Sequence, residues 1–591
     1  MKDFFKQVSA TVVGIFAFSI ITGALAMMSI VGMVASDSTP KDVADNTVLI
    51  LDLSGALQER SEDDIFSRLS GDAPSQMGLD DVLSSIKKAK ENDKVKGIYI
   101  EGGAFAPDSY ASMQAIRKAL VDFKKSGKWI ISYADTYTQG TYYLASAADK
   151  VFLNPSGQID FHGLASQTMF VKDALAKFGV QMQVVKVGAY KSATEMFTGD
   201  KMSDANREQV SVFINGIWNN ICNDIAKSRK LSVAQLNQYA DNMAVFADTK
   251  DYLKMKLVDK LVYADQLKDE VKTMMKLGKD EDYNTIGIAG MMSVPEGKQD
   301  GDEIAVYYAY GDIVDGAAAG IMGQGKAVID GAKVNKDLRD LADDDDVKAV
   351  VIRINSGGGS AYASEQMWRA IQLLKAKKPV VVSMGGMAAS GGYYMSCSAN
   401  WIVAEPTTLT GSIGIFGMFP DMSGLITQKL GVKFDEVKTN KNSAFGTMAR
   451  PFNEEEMGYL STYIDRGYKL FRQRVADGRH MSTDAVEKIA QGRVWTGQDA
   501  LKIKLVDQLG GLDEAVAKAA KLAKLDEYYT SPYPAKADWM EQLFRSASSG
   551  NYIDSKMRAA MGEYYSVFML LKDMDKQSAI QARIPYFINI K

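Results

Sequence analysis

The stretch GGMAASGGYYMS, Gly385 to Ser396, sets one serine, Ser390, between small residues and a pair of glycines. A chain needs that backbone freedom where a side chain is pushed up at a sharp turn. A hydroxyl presented this way is a candidate nucleophile, and a nucleophilic serine needs a group to take its proton. Most serine hydrolases use histidine, yet this chain has only two, His162 and His480. A glycine-rich run, NSGGGS from Asn355 to Ser360, adds backbone N–H groups that can approach a substrate closely. With the amide of Gly391, just after Ser390, these suit an oxyanion hole. A phosphate cradle is disfavoured, because no Gly-Lys-Ser/Thr follows the glycines. Cys222 and Cys397 show no CxxC spacing, and neither they nor the histidines have metal-ligand spacing. No metal, cofactor or disulfide framework is expected.

The elements that position Ser390 come in two copies. The sequence YAS at Tyr110–Ser112 returns at Tyr362–Ser364, and GTYYLASAAD from Gly140 returns as GGYYMSCSAN from Gly391. FGVQMQVVK from Phe178 returns as LGVKFDEVK from Leu430, and LKMKLVDKL from Leu253 as LKIKLVDQL from Leu501. Four matches in one order, at one nearly constant offset, mark an internal duplication. Within each copy, β-branched runs alternate with helical periodicity. VKAVVIRIN (Val347–Asn355), PVVVSMG (Pro379–Gly385) and NWIVAEP (Asn400–Pro406) read as strands, and Ser364 to Lys378 as a helix. The first copy repeats the pattern with VKGIYIEGG, MQAIRKALVDFKKSG, KWIISYAD and DKVFLNP. Such alternation predicts parallel α/β units, with ligand crevices at the carboxyl ends of strands. Ser390 follows one such strand.

The differences between the copies suggest the base. At the position of Ser390 the first copy has Gln139, so it lacks the nucleophile. In the aligned segments KVGAYKSA (Lys186–Ala193) and KTNKNSAF (Lys438–Phe445), Lys191 stands opposite Ser443. One copy keeps a lysine and the other a serine, so a single composite site drawing Lys191 from one and Ser390 from the other is expected. A neutral lysine amine can deprotonate serine, once burial away from carboxylates lowers its pKa. Lys438 and Lys441 are the competing bases inside the second copy.

The 591 residues are 46% hydrophobic with a net charge of −4, which gives no reason to expect a nucleic-acid partner. The organisation reads as a short cytoplasmic N-terminus (1–7), an apolar segment (8–35), a linker (36–46), the first repeat (47–290), a polar connection (291–302), the second repeat (303–530) and a helical tail (531–591). Val8–Ala35 holds 28 residues without a charge and follows Lys2 and Lys6. That length spans a bilayer, and the flanking lysines leave the N-terminus inside and the body outside. A cleaved signal peptide, aided by Ala24 and Ala26, is the alternative. In the tail, Met557–Met574 has amphipathic helical spacing.

KVGAYKSA, RINSGGGS, SMGGMAASGGYYMS, LTGSIGIFG and GRVWTGQDALKIKLVDQLGG together resemble the signal peptide peptidase A (protease IV) family in its long two-domain bacterial form. The resemblance covers nearly the whole body. It implies tandem domains of the Clp protease/crotonase type, parallel β-sheets built from β-β-α superhelix units, behind one N-terminal transmembrane helix. It implies Ser390 as nucleophile, Lys191 as general base, Ser412 as the hydroxyl that orients the lysine amine, and the amides of Gly359 and Gly391 as the oxyanion hole. One departure is Gly357, where the family carries proline. The resemblance further implies a bacterial cytoplasmic membrane protein with its catalytic body outside, a bowl-shaped homotetramer, and released signal peptides as substrates. A crotonase-like acyl-thioester enzyme and a non-catalytic membrane scaffold are the competing readings.

Overall fold

The computed structural model describes residues 42–61, 76–295, 300–316, 327–536 and 580–584, with Gly14, Phe18, Ile21 and Thr22 as isolated helical positions. The rest of the apolar segment 8–35 lies outside the described residues. Among those described, no helix is long and apolar enough to cross a membrane.

Each copy builds a mainly parallel sheet. In the first, Thr47–Gln58, Val95–Ala106, Trp129–Tyr137 and Lys150–Ile159 lie side by side in chain order. In the second, Asp302–Tyr310, Val347–Ser356, Val380–Ala389 and Trp401–Ala404 do the same. These strands are nearly continuous Val, Ile, Leu and Ala because parallel sheets are covered on both faces; Val350, Val351 and Ile352 are all fully buried. The helix after the second strand, Ala361–Lys375, begins where the Ser360 hydroxyl accepts the Ala363 N–H. Each sheet also takes in a parallel strand from the end of its own copy. Asn284–Gly287 adds to Thr47–Ile50, and Tyr528–Tyr533 adds to Asp302–Tyr307.

The copies share their cores. Ala389, Leu409 and Val494 pack into the cluster built mainly by the first copy, and Val185 packs into that of the second. A buried ion pair ties the two sheets together, with Arg353 Nε donating to Glu59 Oε1 at 2.5 Å and both side chains less than 5% exposed. Asn355 Nδ2 donates to Glu59 Oε2 (3.2 Å) and to Asp108 Oδ2 (2.8 Å) across the same seam.

A third sheet mixes both copies with the end of the chain. Its strands run Val328–Asp330, Asp312–Val314, Gly358–Ser360, Ile580–Arg583, Phe416–Asp421 and Gln181–Lys186. The last belongs to the first copy and pairs antiparallel with Phe416–Asp421 of the second. The described residues of the tail include the end of the strand Tyr528–Tyr533 and the strand Ile580–Arg583, while the segment of helical spacing, Met557–Met574, lies outside the described residues. Tail residues 580–583 read as strand because two unpaired edges flank them, a tertiary effect that helical periodicity in a neighbouring segment does not report.

Candidate active site

Ser390 sits between the strand Val380–Ala389 and the short helix Gly391–Ser396. Its backbone is held at φ 54°, ψ −110°, a conformation that costs a non-glycine residue about 1–3 kcal/mol. The fold pins it there. Its N–H donates to Gly411 O at 2.8 Å, and its carbonyl accepts the Tyr394 N–H at 2.7 Å. Ser412 leaves the neighbouring strand Leu409–Gly411, which runs parallel to Met387–Ala389. It too has positive φ, 49°, and its N–H donates to Arg493 O at 2.7 Å. The two serines therefore emerge from the carboxyl ends of adjacent parallel strands, where crevices of such sheets lie.

Lys191 arrives from the other copy. The strand Gln181–Lys186 carries the chain alongside Phe416–Asp421, and the following turn is stitched to the second copy by Val187 N–H to Ile415 O (3.2 Å) and Tyr190 N–H to Gln491 O (3.0 Å). Two glycines open the path for the lysine. A methyl group on Gly492 would stand 2.6 Å from Lys191 Cβ, and one on Gly414 3.2 Å from Lys191 Cδ. Gln209 braces the turn from behind. Its Nε2 donates to Tyr190 O (2.9 Å) and Ser192 Oγ (3.1 Å), and its Oε1 accepts the Val494 N–H (3.1 Å). The Arg493 guanidinium lies over the Tyr190 ring, 4.8 Å from its centre.

The result is a wholly buried cluster. Lys191 Nζ lies 2.7 Å from Ser390 Oγ, 3.0 Å from Ser412 Oγ and 3.1 Å from Ser412 O. Lys191, Ser390 and Ser412 are all 0% exposed. Burial drives the Lys191 amine well below the usual lysine range, and no carboxylate among the described residues offsets it. The nearest acid in sequence, Glu195, is turned away and accepts from Ser203 N–H, Ser203 Oγ and Asn206 Nδ2. A neutral amine has two N–H donors and one lone pair. Here the donors fit the two oxygens of Ser412 and the lone pair fits the Ser390 hydroxyl.

The glycine strand Gly358–Ser360 lies against Ser390. Gly358 is at φ 102°, and a methyl group on it would stand 2.8 Å from the Gly391 nitrogen. The glycine strand and the Gly391 nitrogen thus lie directly against each other. At Gly357, the family's proline position, an added methyl group would stand 3.1 Å from the Ile584 side chain, which would have to shift slightly to admit it.

The competing bases lie elsewhere. Lys438 and Lys441 are exposed and pair with Glu436 and Glu455. His162 Nδ1 pairs with Asp160 at 2.5 Å, and His480 ends the helix Glu454–Arg479 at φ 54°. In the first copy the serine position is filled structurally. Gln139 Oε1 accepts the N–H groups of His162 (3.1 Å) and Gly163 (3.0 Å). Sequence reasoning did not identify Gly414, Gly492 or Gln209 as supports of Lys191. The first two lie inside motifs singled out by sequence, LTGSIGIFG and GRVWTG, but their closeness to Lys191 is purely tertiary.

Comparisons with known proteins agree with this architecture. The model of peptidase family S49 matches twice, over residues 122–278 and 372–526. The Clp protease model matches residues 321–403. The chain is 37% identical to Protease 4 of Salmonella typhi over 515 residues, 84% of this chain and 82% of that protein. It is 34% identical to Protease 4 of Haemophilus influenzae, with 84% and 82% covered. It is 30% identical to the chloroplastic serine protease SPPA of Arabidopsis thaliana, with 92% and 78% covered. With two matched copies of the domain and a Clp protease-like fold around Ser390, the chain belongs to peptidase family S49, the serine proteases of the signal peptide peptidase A (protease IV) type.

Proposed function

We propose that this serine protease works through a Ser390–Lys191 dyad and that it is a membrane-anchored endopeptidase which degrades released signal peptides and other extended peptides. The observation that carries the dyad is the 2.7 Å approach of Lys191 Nζ to Ser390 Oγ inside a fully buried cluster. The neutral amine takes the Ser390 proton as Oγ attacks the peptide carbonyl. Ser412 holds the amine through its carbonyl and hydroxyl oxygens. Negative charge on the tetrahedral oxygen is met by the amides of Gly359 and Gly391, donors whose individual loss typically costs about 10²–10³ in rate. The leaving amine takes the proton back from Lys191, and water, deprotonated by the same amine, hydrolyses the acyl-enzyme.

The apolar segment 8–35 serves as the anchor in this reading, with the body on the extracytoplasmic side of a bacterial cytoplasmic membrane. A homotetrameric bowl with inward-facing sites would admit extended peptides and exclude folded proteins. Support for extended substrates comes from the strand Gly358–Ser360 beside Ser390, which already pairs with one extended segment, Ile580–Arg583. The test combines turnover of a synthetic signal peptide with fractionation of the full chain and of a chain lacking residues 1–35. Cleavage by both forms, with only the full chain in membranes, is expected. A full chain that remains in the soluble fraction refutes the anchor, and failure to cleave the peptide refutes the substrate class.

A further inference from the structure

Ser390 is preceded by a bulge in its own strand. Along the pair Val347–Ser356 and Val380–Ala389, the register runs from Ile354 opposite Met384 to Ser356 opposite Ala388. One strand advances two residues while the other advances four, so the nucleophile strand carries two extra residues shortly before Ser390. Bulges bend a strand and re-aim the side chains that follow. They also break the ladder and leave backbone groups that need other partners. Side chains supply them here. The Thr408 hydroxyl donates to Gly385 O at 2.8 Å, and the Thr410 hydroxyl to Ala388 O at 2.7 Å. Between these two, the Met387 N–H donates to Asn355 Oδ1 at 3.1 Å. Arg353 Nη1 holds the entry to the bulge, donating to Ser383 Oγ (3.0 Å) and Met384 O (3.1 Å).

The two threonines belong to the second copy, but Asn355 is itself held by the first. Its Nδ2 donates to Glu59 Oε2 and Asp108 Oδ2. Carboxylates accept only from the NH2 end of an amide, so they turn the carbonyl end toward Met387. The bulge also touches the first copy directly. A methyl group on Gly386 would stand 2.5 Å from Ser109 Cβ and Oγ, and one on Gly385 3.0 Å from Glu59 Oε2. The charged groups around Asn355 are Glu59, Asp108 and, bound to Glu59, Arg353. Burial, and then the Glu59 carboxylate, push Asp108 up to about 6, so it is an ionised acceptor at pH 8. The first copy, with Gln139 at the nucleophile position, has Gly103 where VKAVVIRIN has Asn355. It keeps neither the serine nor the side chain that pins the serine's strand.

We propose that Asn355 is a positioning residue for the nucleophile: clamped by Glu59 and Asp108 of the first copy, it sets the bulge that aims Ser390, an inference that rests on the Ser390–Lys191 reading. The first copy thereby holds both members of the dyad, Lys191 directly and Ser390 through Asn355. Asn355→Asp keeps the shape of the side chain and removes its donor. At pH 8 the new carboxylate faces Glu59 and Asp108 with like charge, and the bulge loses its hold. On acidification the new carboxyl gains a proton and can donate again.

The test measures two rates on the full chain between pH 6 and pH 8: acylation of Ser390 by a serine-directed inhibitor, and turnover of a fluorogenic peptide. At pH 8, Asn355→Asp should lower the acylation rate and kcat by about 10²-fold. KM should stay near the wild-type value, because the loss falls on the chemical step. The deficit relative to wild type at the same pH should shrink as the pH falls. Adding Asp108→Asn places a donor opposite the new carboxylate and should recover about tenfold at pH 8, a coupling usual for residues in contact. A folded Asn355→Asp that keeps wild-type rates overturns the inference. So does a deficit that neither pH nor the second exchange relieves, which is the mark of a purely structural role. If Asn355→Asp does not fold, Asp108→Asn alone decides: a several-fold lower kcat at unchanged KM supports the clamp, and an unchanged kcat overturns it. A wild type that is not acylated at Ser390 overturns the dyad reading and this inference with it.

Discussion

The Lys191 amine stands 2.7 Å from the Ser390 hydroxyl although 199 positions separate the two residues. The lysine comes from one copy of a duplicated fold and the serine from the other, so neither copy can assemble the pair alone. If the two act as one device, Ser390→Ala and Lys191→Ala should each lower kcat/KM for peptide hydrolysis by at least about 10³-fold, and the double variant should lose little more. Ser412→Ala, which leaves the amine in place but loosens its hold, should lose less. Lys441→Ala should be neutral, because that lysine makes only a surface ion pair. Steady-state kinetics on one fluorogenic peptide checks all four.

The amine must be neutral to accept a proton. Burial holds the Lys191 pKa well below the usual lysine range, so kcat/KM should be high at neutral and alkaline pH. It should fall tenfold per pH unit once acidification protonates the amine. A rate that stays flat down to about pH 5 contradicts an amine base.

The same shift has a sign for stability. The unfolded lysine binds a proton below about pH 10.4, while the folded one does not until its depressed pKa is reached. Between those values the unfolded state holds more protons, so wild-type stability rises with pH through that window. Lys191→Met lacks this dependence. Its Tm relative to wild type should therefore be more favourable at pH 7 than at pH 10, and thermal melts at the two pH values measure the difference.

Gly492 is the contact that lets one copy admit the other's lysine. Its φ is +79°, and an added Cβ would stand 2.6–2.7 Å from Lys191 Cβ, Cα and N. Gly492→Ala should cost about 1–3 kcal/mol from backbone strain alone. It should also cut kcat by 10²-fold or more by displacing the amine. Calorimetry and single-turnover kinetics on this variant separate the two effects.

The Glu59–Arg353 pair joins the sheets of the two copies with both partners buried. Removing one partner strands a buried charge. Glu59→Ala should therefore destabilise by about 3–5 kcal/mol, whereas replacing both residues by apolar ones of similar volume should recover most of the loss. Denaturant melts of the two variants give the comparison.

Much of this was readable from the chain. The strand VKAVVIRIN appears at Val347–Ser356 and PVVVSMG at Val380–Ala389, because a run of β-branched residues flanked by glycine and proline has few other ways to bury itself. The meeting of Lys191 with Ser390 was legible through what each copy had lost. Their supports were not. Glu59 with Arg353, Gln209 with Val494 and Gly492 with Lys191 are 294, 285 and 301 residues apart in sequence, and no local pattern records which surface a packed copy will present. The tail strand was hidden for a related reason. Residues 580–583 hold no strong signal of their own and become a strand because Gly358–Ser360 and Phe416–Gly417 offer two open edges.

The central claim is that a lysine of the first copy activates a serine of the second. Mass spectrometry after treatment with a serine-directed acylating inhibitor tests it most directly. The wild type should gain one adduct, mapped to Ser390, and Ser390→Ala should gain none. Lys191→Ala should react far more slowly at pH 8, while Lys438→Ala and Lys441→Ala react at the wild-type rate. Full-rate labelling of Ser390 in Lys191→Ala, or an adduct on another residue, would contradict it.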